Sequence, residues 1–366
     1  MGRDVVQSVV RAATLLKSFP TDSEPVDLTS LAKRARLSKP TAFRILKSLT
    51  ATGLVKRAGR TGYLSRVHFS ETAPVRIGYG QLSESTSFSS LVTEGLRNAA
   101  TSANIGLLVL NNEFSASRAL TNADRFVSER VDLVIDAQID IRIAAQVTSK
   151  FADAGIPFIA IDLPHPGSTY FGADHYRAGR MAGKYLGSWA DHQWKEGVEQ
   201  ILLIGADVAG PVLNTRLTGM LDGLLEGGFV SRSTPVLHLD TKAQFERTWE
   251  TVRKTLQKLR KRRILVGAIN DPSALGALQA FRDLSREGEC AIASQDAGIE
   301  ARRELRKQET RLICSTAYFP ETYGEQLISM ALDILKGRPT PSATFVKHKL
   351  VTALNVNKIY PYDGWK

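Results

Sequence analysis

Cysteine and long apolar runs are both scarce in this sequence of 366 residues. The two cysteines, Cys290 and Cys314, are too few for a disulfide-stabilised scaffold, and they fit a reducing, cytoplasmic environment. No run approaches the ~18 consecutive apolar residues that a membrane-spanning helix needs. The first residues mix apolar and charged side chains, which is not typical of a secretory signal peptide. We therefore expect a cytoplasmic globular protein with no membrane partner.

The sequence also lacks the patterns of several large enzyme classes. No G-x-G-x-x-G follows the first predicted strand, and there is no P-loop, no G-x-S-x-G nucleophile elbow and no H-E-x-x-H helix. The histidines are scattered, and none pairs with a cysteine at the spacing of a zinc site. We expect a protein that is not an enzyme and that uses neither a cofactor nor a metal. An α/β enzyme acting on a sugar or a nucleotide stays open as an alternative.

Positive charge is abundant and unevenly distributed. The formal net charge is +11, and residues 1–72 hold 13 of the 48 basic residues against 5 of the 37 acidic ones. About a fifth of the chain therefore carries an excess of eight positive charges. This asymmetry favours a nucleic-acid-binding module joined to a nearly neutral domain.

Residues 1–65 are predicted to form a winged helix-turn-helix domain. Apolar spacing predicts helices from Val6 to Phe19, after Asp27, and from Ser38 to about Thr52. The segment LVKRAGRTGYLS then predicts two short strands around a turn. In such a fold the third helix lies in the major groove of DNA. A small helical interaction domain is the alternative.

The candidate DNA-binding residues lie on the third helix and on the hairpin. Basic side chains hold phosphates or read guanine, and hydroxyls can do either. The candidates are Ser38, Lys39, Thr41, Arg44, Lys47, Arg57 and Arg60.

The N-terminal segment resembles the DNA-binding domain of IclR-type regulators. The similarity lies in SVVRAATLLKSF and in LTSLAKRARLSKPTAFRILKSLTATGLVKR. One turn position, Arg36, is usually glycine in that family. If Arg36 kept a left-handed backbone, the strain would cost about 1 kcal/mol. The turn is therefore altered, or Arg36 gains a contact with phosphate.

Residues 66–74 are predicted to be a linker, after which strand-like and helix-like segments alternate. The strand candidates span 75–80, 106–111, 131–136, 157–162, 200–205, 235–240, 264–270, 290–296 and 311–316. This alternation predicts parallel sheets covered by helices on both faces, divided into two lobes. Several strands end in Asp or Asn, where open α/β sheets bind their ligands.

This second half resembles the type I periplasmic binding proteins and the ligand domains of LacI-type repressors. The firmest segments are VDLVIDAQIDIRIAAQVTSKFADAGIPFIAID, ADHYRAGRMAGKYL, VGAINDPSALGALQA and STAYFPETYG. The resemblance implies a first lobe of about 75–173 and 318–346 and a second lobe of about 174–317 and 347–357, within a domain of 75–366. It also implies a set of ligand-binding residues: Phe88, Asp162, Arg216, Asn270, Asp296 and Tyr318.

Three departures from the sugar-binding pattern limit what can be said of the ligand. His175 replaces a usual asparagine, Leu163 replaces an arginine of the ribose binders, and Tyr318 replaces a glutamine. These changes indicate that the site is not a ribose site. They favour a ligand that is less hydroxylated, larger or partly apolar.

Together the two halves predict a cytoplasmic, ligand-responsive transcriptional regulator. Its expected partners are a double-stranded DNA operator, a small polar effector such as a sugar or a related metabolite, and a second copy of the chain in a homodimer. A solute-binding protein of a transport system is the alternative.

Overall fold

The computed structural model describes residues 6–19, 24–67 and 75–363. The chain falls into two compact units, Met1–Pro74 and Val75–Lys366, which we call the headpiece and the main domain. Residues 68–74 of the predicted linker lie outside the described residues. Across the three described ranges, no helix combines the length and the apolar character that a bilayer span requires.

The headpiece contains three helices and a small antiparallel sheet. Its elements are α1 (Gln7–Lys17), β1 (Val26–Asp27), α2 (Leu28–Arg34), α3 (Lys39–Ala51), β2 (Val55–Ala58) and β3 (Gly62–Ser65). The strands pair in the order β1-β3-β2, so the predicted hairpin forms and gains a third, unpredicted strand. The Asp27 carboxylate caps α2 by accepting from the backbone N–H of Thr29 and Ser30.

The headpiece core uses only part of the apolar stripe of α1. Leu15 and Leu16 are buried, whereas Val6, Val9 and Val10 are exposed. The apolar spacing therefore predicts the helix correctly but overstates its buried face, because only the C-terminal half of α1 packs against the core.

The main domain consists of two α/β lobes, each built on a six-stranded sheet. The first part of the chain builds the first lobe. Its elements are β4 (Arg76–Gln81), α4 (Ser87–Ser102), β5 (Gly106–Asn111), α5 (Ala116–Ser128), β6 (Leu133–Asp136), α6 (Ala144–Asp153), β7 (Phe158–Ile161) and β8 (Thr169–Gly172). The chain then enters the second lobe through α7 (His175–Gln193), β9 (Gln200–Gly205), α8 (Gly210–Glu226), β10 (Val236–Asp240), α9 (Phe245–Lys258), β11 (Ile264–Ala268), α10 (Asp271–Asp283), β12 (Cys290–Asp296), α11 (Ile299–Leu305) and β13 (Leu312–Ala317).

The last elements are α12 (Tyr323–Leu335) and β14 (Ala343–Phe345) in the first lobe, followed by β15 (Lys349–Thr352) and α13 (Val356–Ile359) in the second. The first lobe's sheet has the order β14-β8-β7-β6-β4-β5 and is parallel throughout. The second lobe's sheet has the order β10-β9-β11-β12-β13-β15, in which only β15 is antiparallel. The chain therefore crosses between the lobes near residues 173–174, 318–319 and 346–348.

Each sheet is buried on both faces, as the continuous apolar strands predict. Along β6, Leu133 and Ile135 join one apolar cluster while Val134 joins another on the opposite face. The second lobe repeats this arrangement with two clusters of its own. The basic run at residues 253–263 lies mostly on the exposed face and at the end of α9, as expected of a solvated helix surface.

Replacing Arg36 with glycine tests the strain in the turn between α2 and α3. Arg36 keeps a left-handed backbone (φ 50°), so the turn has the geometry that usually calls for glycine. We expect Arg36→Gly to stabilise the headpiece by about 1 kcal/mol, which slows amide hydrogen exchange in α3 about fivefold if α3 exchanges through opening of the headpiece. The measurement is exchange detected by mass spectrometry on the full chain. Lys33→Gly, inside α2, is the control and should speed exchange; equal exchange in Arg36→Gly and wild type would contradict the prediction.

Candidate functional site

A cavity of about 310 Å³ lies between the two lobes, at the carboxyl ends of their strands. Its wall includes residues that follow β4, β6 and β7 in the first lobe and β10, β11 and β12 in the second. Of the ligand-binding residues predicted from the sequence, Phe88, Asp162, Arg216, Asn270 and Asp296 line this cavity. This is the position in which open α/β sheets bind ligands.

Arg216 is the central charge of the cavity. It projects from α8 and is only 5% exposed. Its Nη1 donates to the carbonyl oxygen of Ile269 at 3.0 Å and lies 3.6 Å from Oδ1 of Asp296. Its Nε donates to Nδ1 of His175 at 3.1 Å. These contacts fix the guanidinium plane, so a ligand would meet a donor whose direction is already set.

The close packing of α7 on α8 places Arg216 beside His175. Glycines stand where the two helix backbones touch. A Cβ on Gly179 would lie 1.9 Å from the carbonyl oxygen of Arg216, and one on Gly219 would lie 2.1 Å from that of Tyr176. Any larger residue at these positions would push the helices apart and move the guanidinium away from the imidazole.

His175 connects Arg216 to Asp162 and is neutral. Because a guanidinium can only donate, Nδ1 of His175 must accept, and Nε2 therefore carries the proton. That Nε2–H donates to the carbonyl oxygen of Asp162 at 2.7 Å. Burial, together with the nearby Arg216 charge, lowers the pKa of His175 to about 3. His175 thus accepts from the arginine and donates to the first lobe.

Two of the carboxyl groups that line the cavity, those of Asp162 and Asp296, belong to residues with unusual backbone conformations. Asp162 has φ 58° and Asp296 has φ 99°, both left-handed. The backbone N–H of Ala173 donates to Oδ1 of Asp162 at 3.0 Å. Burial raises the pKa of Asp162, and it raises that of Asp296 well above its usual range even though Arg216 opposes both shifts. Each carboxyl group can therefore accept from a ligand hydroxyl, or donate to one when protonated.

Asp271 lies beside Asp296 and is itself part of the cavity wall. Its Oδ1 accepts from the hydroxyls of Ser294 and Ser315, and its Oδ2 accepts from the backbone N–H of Gly298 at 2.6 Å. Burial raises the pKa of Asp271, against the effect of these donors. Its negative charge in turn raises the pKa of Asp296.

Asn270 and Tyr318 have structural contacts that the sequence did not predict. Asn270 caps α10, since its Oδ1 accepts from the Ser273 N–H, and its Nδ2 donates to the carbonyl oxygen of Ala243. The Tyr318 side chain is not part of the cavity wall. Its ring lies 4.9 Å from the Arg216 guanidinium, and its hydroxyl donates to Oε1 of Gln295 at 2.5 Å. Tyr318 therefore packs against the arginine through a cation–π contact, with the guanidinium lying over the ring.

Apolar side chains make up most of the remaining wall. Phe88 packs edge-on against Tyr323, with ring centroids 5.8 Å apart, and presents an apolar surface to the cavity. Phe114 and Phe245 were not predicted, although each follows the carboxyl end of a strand, β5 and β10. Their position just after the end of a strand is the sequence signal that could have identified these two phenylalanines.

The two lobes touch on either side of the cavity. The Ser87 hydroxyl of α4 donates to Oε2 of Glu300 in α11 at 2.9 Å. On another rim Gly210 lies against Ile141, where an added Cβ would be 3.0 Å from the isoleucine Cγ2. Both contacts join residues of different lobes, so opening the cleft would break them.

The headpiece presents a basic helix surface. The Ser38 hydroxyl caps α3 by accepting from the Thr41 N–H, and the two hydroxyls lie 2.8 Å apart. Lys39, Arg44 and Lys47 are exposed along α3.

Arg57 and Arg60 are exposed on the hairpin. The Arg57 guanidinium lies over the Tyr63 ring, whereas Arg60 stands in the turn between β2 and β3. Of the seven predicted DNA-binding residues, Ser38 and Thr41 therefore take part in capping α3, and the five basic ones are exposed: Lys39, Arg44, Lys47, Arg57 and Arg60.

The fold and the cavity define a two-lobed binding domain joined to a helix-turn-helix headpiece. Residues 80–339 match the periplasmic binding protein domain, and residues 8–59 match the IclR helix-turn-helix domain. The chain belongs to the family of proteins with a periplasmic binding protein domain, and it carries an IclR-type DNA-binding domain at its N-terminal side. This combination fits a ligand-sensing regulator. No curated protein matches the chain.

Solved structures share the fold of the main domain. A solute-binding protein of an ABC transporter from Mycobacterium smegmatis with bound glycerol is 18% identical, has a TM-score of 0.71, and is matched over 80% of this chain and 98% of that one. One from Agrobacterium vitis with bound allitol is 16% identical, with a TM-score of 0.71 over 79% and 98%. One from Actinobacillus succinogenes with bound D-allose is 17% identical, with a TM-score of 0.67 over 78% and 99%. At these identities the likeness establishes the fold.

Replacing His175 with asparagine tests its neutral state. An unfolded histidine titrates near pH 6.5, whereas burial and Arg216 lower the pKa of folded His175 to about 3. Between these values only the unfolded state binds the proton. This histidine therefore makes the free energy of unfolding fall as the pH falls, by up to about 1.4 kcal/mol per pH unit. The measurement is the free energy of unfolding in urea, determined at several values between pH 7 and pH 4. We expect this free energy to depend less on pH in His175→Asn than in wild type.

His192→Asn is the matched control, because His192 is exposed on the same helix, α7. It should keep the wild-type dependence on pH. A wild-type slope in His175→Asn would contradict the neutral tautomer.

Proposed function

We propose that the protein is a ligand-responsive transcriptional regulator that binds operator DNA through the headpiece and a small polar metabolite in the interlobe cavity. The observation that carries this proposal is the presence of both parts on one chain. An exposed basic recognition helix and a buried arginine–carboxylate cluster serve different ligands, a polyanion and a small hydroxylated molecule.

The cavity favours an uncharged ligand with hydroxyl groups and an apolar part. Arg216 is the cation at its wall, and its charge is already opposed by Asp162 and Asp296, while Asp271 and Glu300 add two more carboxyl groups. A phosphorylated or acidic ligand would meet net negative charge. Hydroxyls can pair with these groups, while Phe88 and Phe245 offer apolar contact. The solute-binding proteins of similar fold were solved with glycerol, allitol and D-allose, which supports a sugar or a sugar-like compound.

Regulation requires that ligand and DNA binding be coupled. We propose that the chain acts as a homodimer whose two α3 helices engage two half-sites, about one helical turn or a multiple apart. Ligand held between the lobes favours the closed cleft, with the Ser87–Glu300 hydrogen bond made. The ligand can change DNA affinity only by its differential affinity for the two arrangements, typically about 1–3 kcal/mol.

Fluorescence anisotropy with labelled duplex DNA tests the first half of the proposal. We expect tight binding that weakens steeply with salt, because phosphate contacts release counterions. Arg44→Ala should weaken binding by about 1–3 kcal/mol. Lys254→Ala, which removes an equal charge from the exposed face of α9, should leave binding unchanged. Ligand binding without salt-sensitive DNA binding would instead favour a solute-binding protein of a transport system.

A thermal-shift screen of sugars, polyols and nucleosides tests the second half. A ligand at 100 times its Kd stabilises the folded state by about 2.7 kcal/mol. We expect this shift to disappear in Asp296→Asn and in Arg216→Lys, because both change the cluster at the cavity wall. Asp191→Asn, exposed on α7, is the control and should keep it. A compound that gives the same thermal shift in wild type and in all variants binds elsewhere. This result would contradict the proposal that the interlobe cavity is the ligand-binding site.

A further inference from the structure

One large apolar side chain on the recognition helix does not serve the headpiece core. Phe43 is 46% exposed, whereas Ala42, Leu46 and Leu49 of the same helix are buried. Those three residues belong to the core cluster of the headpiece, and Phe43 is neither in that cluster nor among the half-buried residues packed on it. Folding of the headpiece therefore does not explain a phenylalanine at this position.

Basic side chains surround Phe43 on the surface of α3. Lys39 and Lys47 stand four residues before and after it, so all three side chains share one side of the helix. Arg44 is its exposed neighbour in the sequence. An aromatic ring with cations on both sides is suited to a partner in which negatively charged groups flank an apolar group. A purely apolar protein surface would leave the two lysines without partners.

Double-stranded DNA has such a group at one base only. In the major groove, thymine displays its C5-methyl group, whereas the other bases present only donors and acceptors there. We propose that Phe43 contacts the 5-methyl group of a thymine in each half-site and so makes the protein specific for thymine at that position. The proposal rests on the proposed function, since it requires α3 to enter the major groove. In the proposed complex, Lys39 and Lys47 bind the flanking phosphates or guanines.

The test uses duplexes that the full-length protein selects from a random double-stranded pool. In the selected duplex each thymine is replaced in turn by deoxyuridine, which pairs identically and lacks only the methyl group. At one position per half-site, the wild-type protein should bind the deoxyuridine duplex about fourfold more weakly, as expected for loss of one buried methyl. Phe43→Ala should bind the thymine duplex more weakly and make no distinction between the two duplexes.

Two controls separate base reading from a loss of structure. Lys47→Ala should weaken binding to both duplexes alike and keep the fourfold ratio, because it removes a charge and leaves the ring. Phe43→Leu retains an apolar side chain and should keep part of the ratio. Amide exchange in α3 of the Phe43 variants should match that of wild type, since the ring is not in the core.

The outcomes distinguish this inference from the proposed function. If no duplex binds in a salt-sensitive way, the proposed function fails and this inference fails with it. If duplexes bind but no deoxyuridine replacement weakens the wild-type complex, DNA binding stands and the role of Phe43 is refuted. The role is also refuted if Phe43→Ala keeps the fourfold ratio, because another residue then reads the methyl group.

Discussion

The buried guanidinium of Arg216 is the charge on which the arrangement of the main domain depends. A buried cation needs compensating partners, and removing one partner of such a pair typically costs about 3–5 kcal/mol. The partners come from distant parts of the chain: Asp296 and the carbonyl of Ile269 from the second lobe, His175 from the first crossover, and Tyr318 from the second. The same side chain lines the cavity. The cavity is therefore lined by a group that also touches residues at two of the three connections between the lobes.

This constraint extends to the backbone around the cavity. Asp162 and Asp296 are left-handed at the carboxyl ends of β7 and β12, and Phe319 is left-handed just after the crossover at Tyr318. Such conformations cost of the order of 1–3 kcal/mol each and persist where the surroundings over-determine them. Here the surroundings include the hydrogen bond from Ala173 to Asp162 and the close contact of α7 with α8. Strain and charge are concentrated in the same place, which supports a binding role for the cavity.

Much of the fold could be predicted because long elements have strong periodic patterns. The nine predicted strands of the main domain all form, as do the three helices and the hairpin of the headpiece. The strands β8, β14 and β15 were missed, since each has only three or four residues and lies at a crossover between lobes. For the site, the strand-end rule and the resemblance to the periplasmic binding proteins together indicated Asp162 and Asp296, which both line the cavity. Neither could show that Asn270 donates to the carbonyl oxygen of Ala243, or that the Tyr318 ring lies against the Arg216 guanidinium, because both contacts join residues far apart in the chain.

The sequence by itself determined the separation of a basic headpiece from a nearly neutral α/β domain. It also determined which strand ends carry polar residues, because charge, periodicity and position along a strand are local properties. Only the tertiary structure decided which of these side chains face the cavity and which support it. The direction of a side chain after a strand is set by the helices and the opposite lobe that pack around it. The contact of Gly179 with the Arg216 backbone, the neutral tautomer of His175 and the exposed ring of Phe43 are all decided at that level.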